Sequence, residues 1–343
     1  MFVLCSNIKI GVYTFKPNEV KVSKSVYQYA DRAVIKTPIS ARIVQAGAPP
    51  LSVETAKQFT EGDRVLIQLG YNGSLTTEFE GFVSRVNFTQ PLEVECEGFS
   101  YILRKAHYKP RTFVNAPLKD VLQYLVAGTE IKLAKDVIDS NFRFQIDKLS
   151  TDGKSGTDIL EKIKRDSNET VRFFFIGNTL YAGMQWLQLQ PDVKYQLGWN
   201  VIKDGQLKLR EAKNNVVTVV AYAEQKDGTR LKAQKTNATQ SSKKKIEVAR
   251  EGIYGNVINL RPKGIKDQQT LEGIAKTKYD NINYDGYEGK ITTFLIPYCG
   301  IAYGAFIDDK KYPERAGKYL VESVETTYGM QGARREIGIG HKL

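Results

Sequence analysis

The strongest constraint on the fold is the alternation of apolar and polar residues in the first hundred positions, which has a period of two. Successive side chains of a strand point to opposite faces, so this period predicts strands that are buried on one side. Asn72-Gly73 has the composition of a two-residue hairpin turn. The predicted strands are Ile8–Phe15, Ala33–Val44, Asp63–Leu69, Glu78–Phe88 and Leu92–Glu97. A small antiparallel barrel or sandwich is therefore predicted for residues 1–100.

After Gly98 the pattern changes to a mixture of helices and strands. Asn115 is placed to cap a helix that begins near Pro117, and Ser155 to Asp158 has the spacing of a capping box. A hairpin is predicted around Gly177-Asn178. The predicted helices are Tyr101–Lys105, Pro117–Val126 and one that follows Ser155. Residues 101–190 are therefore predicted to form a small α+β domain.

Strand patterns return in residues 191–343, interrupted by one predicted helix at about residues 270–281. The predicted strands are Gln206–Arg210, Val216–Ala223, Arg230–Gln234, Ile246–Ala249, Lys290–Ile296, Ala305–Asp308, Lys318–Thr327 and Ala333–Ile339. One internal sequence similarity links residues 191–343 to residues 1–100. Gly81–Val86 and Tyr319–Val324 both contain Val-x-x-Val. The predicted class is therefore mainly β with an α+β insert, built from two similar small antiparallel β-barrels and a small α+β domain.

Positive charge is concentrated in one part of the chain. Residues 203–250 contain 12 basic and 5 acidic residues, a net charge of +7 out of +12. The residues predicted to bind a partner there are Lys235, Lys243, Lys244 and Lys245. A basic loop could neutralise phosphates, but aromatic residues are not interleaved with these lysines as in single-strand binders. The favoured interpretation is a solvated hairpin tip or a segment that becomes ordered on a protein partner.

No catalytic, cofactor-binding or metal-binding residue is predicted. Gly153-Lys154-Ser155 resembles the end of a P-loop, but Lys148 stands where the motif needs its first glycine. His107 and His341 are the only histidines, and neither has a neighbouring carboxylate in sequence to orient it. Asp308-Asp309 is followed by two lysines and is interpreted as a charged turn rather than a cation site. We therefore predict that the chain is not an enzyme.

Other features restrict the class of protein. The three cysteines are far apart in sequence and form no Cys-x-x-Cys pair, which favours free thiols in a reducing compartment. No apolar run approaches the roughly 18–20 residues that span a bilayer. The first residues lack a basic leader and an extended apolar segment, so neither membrane insertion nor a signal peptide is predicted.

The order of elements resembles that of the baseplate hub proteins of contractile phage tails and related injection systems, the late control gene D type. It is also similar to the N-terminal part of type VI secretion spike proteins. The stretches that carry the likeness are Glu61–Ile67 with Phe79–Val83, Leu92–Phe99 leading to Leu103, Leu118–Leu125, and Gly317–Val324 with Gly332–Ile337. The family often has an acidic residue before its first helix, and Gly98 stands there in this chain.

The resemblance implies a structural hub: a homotrimer that joins a six-fold tail tube to a three-fold spike. The implied partners are the tube protein and a separate spike protein, with other baseplate proteins and the tape measure as further candidates. The implied location is the baseplate of a virion tail or of an injection system, assembled in the bacterial cytoplasm. The alternatives are a nucleic-acid-binding protein that uses residues 203–250, and a carbohydrate-binding or carbohydrate-active β protein.

Overall fold

The computed structural model of the chain describes residues 3–44, 51–135, 145–167, 171–183, 188–212, 216–225, 228–237, 256–262, 265, 267–313 and 316–343. Strands dominate these residues. The predicted class, mainly β with a small helical insert, is confirmed. The helices are a 3-10 turn Thr55–Gln58, α1 Ser100–Lys105, α2 Leu118–Val126, α3 Gly156–Asp166 and α4 Gln268–Ile282.

The strands fall into three groups along the chain. The first group is β1 Leu4–Ile10, β2 Tyr13–Phe15, β3 Glu19–Ser25, β4 Arg32–Thr37, β5 Ser40–Ile43, β6 Leu51–Glu54, β7 Arg64–Tyr71, β8 Ser74–Asn87 and β9 Leu92–Glu97. The second is β10 Thr112–Pro117, β11 Lys132–Leu133, β12 Gln145–Ser150, β13 Arg172–Ile176 and β14 Thr179–Gly183. The third is β15 Asp192–Gln196, β16 Val201–Lys203, β17 Lys208–Arg210, β18 Val217–Glu224, β19 Arg230–Thr236, β20 Asn256–Leu260, β21 Gly286–Thr293, β22 Gly304–Asp308, β23 Gly317–Gly329 and β24 Gly332–Lys342.

Most strands of the first and third groups share one continuous sheet, in the order β16-β21-β24-β23-β3-β4-β9-β8-β7-β1-β2, while β5-β6 and β19-β18-β20 form separate sheets. The seam between them is the antiparallel pair β3–β23, which runs from Ser25 opposite Ser323 to Glu19 opposite Gly329. Strand β3 is absent from the sequence-based prediction, although Val20 and Val22 alternate with polar residues. The strands of residues 1–100 and those of residues 191–343, which we call the first and second arrays, are therefore joined by main-chain hydrogen bonds.

Three apolar clusters fill the interior, and each draws on distant parts of the chain. The helical cluster combines residues 99–182 with residues 217–279, including Leu118, Val219 and Leu271. The first array's cluster includes Leu295 and Ala333 from the last fifty residues. The third cluster surrounds Tyr195 and Tyr319 and includes residues from the first and second groups. The proposed division into residues 1–100, 101–190 and 191–343 stays a prediction.

Local signals in the sequence have mixed outcomes. The Asn72-Gly73 turn is confirmed, with positive φ at both residues as a type I′ turn requires. The capping box at Ser155 is confirmed, because the Ser155 hydroxyl accepts from the Asp158 amide and the Asp158 carboxylate accepts from the Ser155 amide. The predicted cap at Asn115 is wrong. Asn115 lies inside β10 at φ 51°, and Pro117 precedes the first helical residue instead.

Two predicted strands are interrupted at turns. Ile8–Phe15 is a hairpin of β1 and β2, because Gly11 adopts φ 55° and reverses the chain. Ala33–Val44 is divided into β4 and β5 at Pro38, whose missing amide cannot continue a ladder. The predicted strand Ile246–Ala249 lies outside the described residues.

Replacing the helix cap tests the local stability of α3. Ser155→Ala removes the acceptor of the Asp158 amide, so the free energy of unfolding is expected to fall by about 1 kcal/mol in urea denaturation. Ser40→Ala, at an exposed position of β5, is the matched control and is expected to change little. An equal loss in both variants would contradict a specific capping role.

Candidate functional site

A buried ion pair joins the first array to the last strands of the chain. Arg335 on β24 is fully buried, and its guanidinium contacts the carboxylate of Glu78 on β8. The second oxygen of Glu78 accepts from the Thr326 hydroxyl at 3.2 Å. The Arg335 Nη1 atom donates to the carbonyl oxygens of Leu295 at 2.7 Å and Pro297 at 3.2 Å. These contacts connect β8, β23, β24 and the segment after β21, which we call the junction.

Two tyrosines complete the junction. The Tyr71 hydroxyl donates to the Ala333 carbonyl at 3.1 Å and accepts from the Leu295 amide at 3.4 Å. The Tyr298 ring lies 4.9 Å from the guanidinium carbon of Arg335, a cation–π distance. Burial raises the pKa of Tyr298 to about 12, so its hydroxyl stays protonated at physiological pH. The junction is thus a polar network that fixes the relative position of the two arrays.

The turn between β3 and β4 connects the main sheet to the α+β layer, by which we mean the helices and strands of residues 101–190. The Arg172 guanidinium carbon on β13 lies 4.5 Å from the centre of the Tyr27 ring. Tyr27 also hydrogen-bonds Glu322 on β23, and burial raises the pKa of that carboxyl. Two residues later, Tyr29 packs against the helical cluster. One short turn therefore contacts the sheet and the α+β layer at the same time.

Asp31, at the end of this turn, is a buried carboxyl. Its side chain is 7% exposed, and its Oδ1 atom has no hydrogen-bond partner among the described residues. Burial raises its pKa to about 6, opposed by the positive charge of Lys24. Folded protein therefore holds this proton more tightly than unfolded protein does. The stability that comes from the neutral carboxyl is fully present below pH 4 and is lost as the pH rises through 6.

The residues predicted to bind a partner are only partly described. Lys235 lies on β19, exposed and opposite Val219. Lys243, Lys244 and Lys245 lie outside the described residues. On β19 of the sheet β19-β18-β20, Arg230 and Lys232 are exposed on one face, whereas Lys235 lies on the other face of the strand.

The other titratable candidates form no centre in the part of the chain that the structure describes. His107 is exposed, and His341 is half-buried with its pKa lowered by burial. Asp309 accepts from the Tyr287 hydroxyl at 2.6 Å and from the amides of Lys311 and Tyr312, so it holds a turn in place. No group of His, Cys, Asp and Glu with metal-binding geometry occurs among the described residues. No described helix is long and apolar enough to cross a membrane.

Two of the three free thiols are buried. Burial raises the pKa of Cys299 to about 11 and that of Cys96 further, so both are protonated near neutral pH. A protonated, buried thiol is neither nucleophile nor metal ligand. Cys5 is partly exposed and free.

The sequence-based analysis missed the junction. A signal was present in the alternation: Ala333, Arg335 and Ile337 occupy one face of a strand, and the neighbouring residues of that face are apolar. A charge at an inward position predicts a buried partner of opposite charge. What the sequence lacked was any sign that this partner would be Glu78, on a strand of the first array.

The fold of this chain is similar to that of solved structures described as tail proteins. A tail protein from Neisseria meningitidis superimposes with a TM-score of 0.63 at 9% identity, covering 98% of this chain and 96% of that one. The 43 kDa tail protein of prophage MuSo2 from Shewanella oneidensis gives 0.56 at 12% identity, covering 97% of each chain. No family model and no curated protein sequence matches.

A secretion-system protein shares the fold as well. The E. coli c3393 protein, described as a component of the type VI secretion system, gives a TM-score of 0.53 at 9% identity, covering 98% of this chain and 76% of that one. The resemblance read from the sequence is thus supported at the level of fold over nearly the whole chain.

Substitutions at the junction test its contribution to stability. Arg335→Met leaves the Glu78 carboxylate buried without its cation, so the free energy of unfolding is expected to fall by about 3–5 kcal/mol. The double variant Glu78→Leu with Arg335→Met is expected to recover a large part of that loss. Lys290→Met, which removes a half-exposed pair with Glu336, is the control, with an expected loss of at most about 1 kcal/mol. A single variant as stable as this control would contradict the assignment.

Replacing the buried carboxyl tests the pH dependence. Asp31→Asn removes the cost of ionising a buried group, so at pH 8 the variant is expected to be more stable than the wild type by on the order of 2–3 kcal/mol. This difference is expected to shrink towards zero as the pH falls to about 3, below the ordinary pKa of Asp, where the wild-type carboxyl is largely neutral in both states. Thermal unfolding at the two pH values measures it, with exposed Asp204→Asn as the control. A pH-independent difference would contradict the mechanism.

Proposed function

We propose that the chain is a structural component of a contractile tail or injection-system baseplate, and specifically a trimeric hub that joins a six-fold tail tube to a three-fold spike. The observation that carries the proposal is a tail-protein fold that extends over 97–98% of the chain. In the described residues, the buried polar groups have structural partners or are single, and none is assembled into a reactive centre. A structural role and the absence of enzymatic activity are therefore proposed together.

The internal organisation of the sheet supports the hub. Strands β8 and β23, which contain the echoed Gly81–Val86 and Tyr319–Val324, are 14 and 13 residues long. Each changes partner along its length: β8 pairs first with β7 and then with β9, while β23 pairs with β24 throughout and changes from β22 to β3 on its other edge. The two strands thus occupy similar places in their arrays.

Symmetry follows from two similar arrays in one chain. Three chains in a ring present six arrays towards a six-fold tube while they keep a three-fold axis for the spike. The contacts between neighbours would be heterologous and closed, with the first array of one chain against the second array of the next. Residues 1–100 and 191–343 are the proposed barrel regions, and residues 101–190 the proposed α+β domain between them.

The proposed partners are the tube protein on one side and a separate spike protein on the other, with other baseplate proteins and the tape measure as further candidates. Lys235, Lys243, Lys244 and Lys245 are proposed to contact one of these proteins. The proposed location is a virion or injection-system baseplate that is assembled in the bacterial cytoplasm.

Nucleic-acid binding is the second candidate, since Arg230, Lys232 and Lys235 are exposed on one strand. Arg230 and Lys232, which share one face of this strand, would contact phosphates without reading a sequence, so DNA affinity would fall with salt. The described residues around β19 place one aromatic ring, Tyr222, beside Lys232. The stacking surface that single strands require is therefore small, and the hub is the stronger candidate.

Counting copies in the assembled complex tests the hub. Native mass spectrometry of the chain with the spike protein from a neighbouring reading frame is expected to show three copies of each. Large closed interfaces of roughly 2,000 Å² or more would keep the complex together on dilution. Six copies of the chain, or a monomer that caps the tube unaided, would overturn the trimeric hub and leave the tail-protein fold unaffected.

A further inference from the structure

A groove lies at one end of the main sheet, between β2 and the β5–β6 hairpin. Its volume is about 550 Å³. Its lining is mainly apolar, with Val12, Tyr13, Phe15, Ile43, Val53 and Phe59 among the contributors. Phe15 stacks on Phe59 at a centroid distance of 5.5 Å, so the floor is held by aromatic contacts. Val12 and Val44 at the rim are 85% and 76% exposed.

One wall of this groove is an open strand edge. Gly11 donates to Arg64 in the β1–β7 ladder, so the alternate residues Ile8 and Ile10 direct their main-chain groups towards β2. Their partners on β2, Phe15 and Tyr13, are therefore satisfied by β1. The amide and carbonyl of Thr14 point the opposite way, and no described strand pairs with them.

The facing hairpin also presents an unpaired edge. The Thr55 amide donates to the Ile39 carbonyl, which places Ala41 and Ile43 in hydrogen-bonded pairs with β6. The main-chain groups of Arg42 and Val44 are therefore directed away from β6. Strand β5 pairs only with β6 among the described strands. An extended polypeptide in the groove would thus find main-chain donors and acceptors as well as an apolar floor.

The charges around the groove indicate the charge of the peptide that it would bind. Lys9, Lys16 and Arg42 are exposed, and none of them has an ion-pair partner among the described residues. The acidic residue of the hairpin, Glu54, is already paired with Lys57 at 2.9 Å. Of these cations, only Arg42 lines the groove itself. Lys9 lies opposite Thr14 in the β1–β2 pair, and Lys16 directly follows β2. Acidic side chains on the outward face of a strand paired with β2 would therefore lie near unpaired cations.

The described strand edges at the far end of the main sheet do not supply such a strand from a second copy of this chain. The strands with open edges at the far end of the main sheet, β16 and β17, carry three basic residues and no acidic one, and β19 carries three more. The edge of β15 is covered by Asn200, whose side chain bonds the Lys194 carbonyl and the Gln196 amide. Like charges across a contact oppose pairing.

We propose that the β2–β5 groove is a strand-addition site for a different protein, which inserts an extended segment of alternating apolar and acidic residues against the Thr14 edge. The contacts between copies in the proposed trimer then use other surfaces. The inference does not depend on the proposed function, because it concerns the free chain and a single polypeptide strand.

The test uses the purified full chain and a labelled synthetic peptide, Thr-Val-Glu-Val-Thr-Val-Glu-Val, with a lysine-for-glutamate peptide as its matched control. The acidic peptide is expected to bind at least about tenfold more tightly than the basic one in fluorescence anisotropy at low salt, with the difference reduced at high salt. Equal binding of the two peptides, or no binding of the acidic one, would overturn the proposal.

Substitutions in the chain test where the peptide binds. Thr14→Pro removes the outward amide without touching the ladder to β1, so it is expected to weaken binding about tenfold or more, whereas Thr14→Val keeps the amide and is expected to bind as the wild type does. Arg42→Glu is expected to reverse the peptide preference, and Lys203→Glu at the far edge of the sheet to leave it unchanged. Unaltered binding by Thr14→Pro would overturn the site. Self-association of the free chain that Thr14→Pro abolishes would assign the groove to a second copy instead.

Discussion

The relative position of the two strand arrays depends on one buried ion pair, Arg335 with Glu78. Neither charge can return to water without separating β8 from β24, so opening the junction would leave charges uncompensated in an apolar interior. Thr326, Leu295 and Pro297 supply further hydrogen bonds, which restrict the geometry of the pair. A directional polar network fixes the angle between the two arrays better than apolar packing alone.

Around this junction, the structure combines hydrogen-bonded continuity with local connections. The β3–β23 seam makes one sheet out of two arrays, while the turn from Tyr27 to Asp31 holds the α+β layer against that sheet. The main sheet is left open at β2, beside an apolar groove with basic residues at its edges. A protein whose own halves are held rigidly can offer such an edge to a partner with little conformational cost on binding.

Much of the fold could be predicted from the sequence, because alternation locates strands and caps locate helices. Leu92–Glu97 and the Ser155 capping box are local signals, and both are found as predicted. Pairing is different, since a strand's pattern does not name its neighbour. The seam at β3, the contribution of residues 217–279 to the helical cluster, and the pair between Arg335 and Glu78 all depend on contacts between distant residues. The groove depends on hydrogen-bond direction, which follows only from the register.

The seam between β3 and β23 also determines when the main sheet can form during synthesis. The ribosome releases β3 early, but its partner β23 is among the last elements to emerge. Until then β3 has one neighbour, β4, and its other edge stays open to pairing with other chains. Folding of the main sheet is therefore completed only after β23 has emerged, and pairing over such separation in sequence is slow. The edge of β3 that β23 later covers is thus exposed to wrong pairing for most of the synthesis of the main sheet.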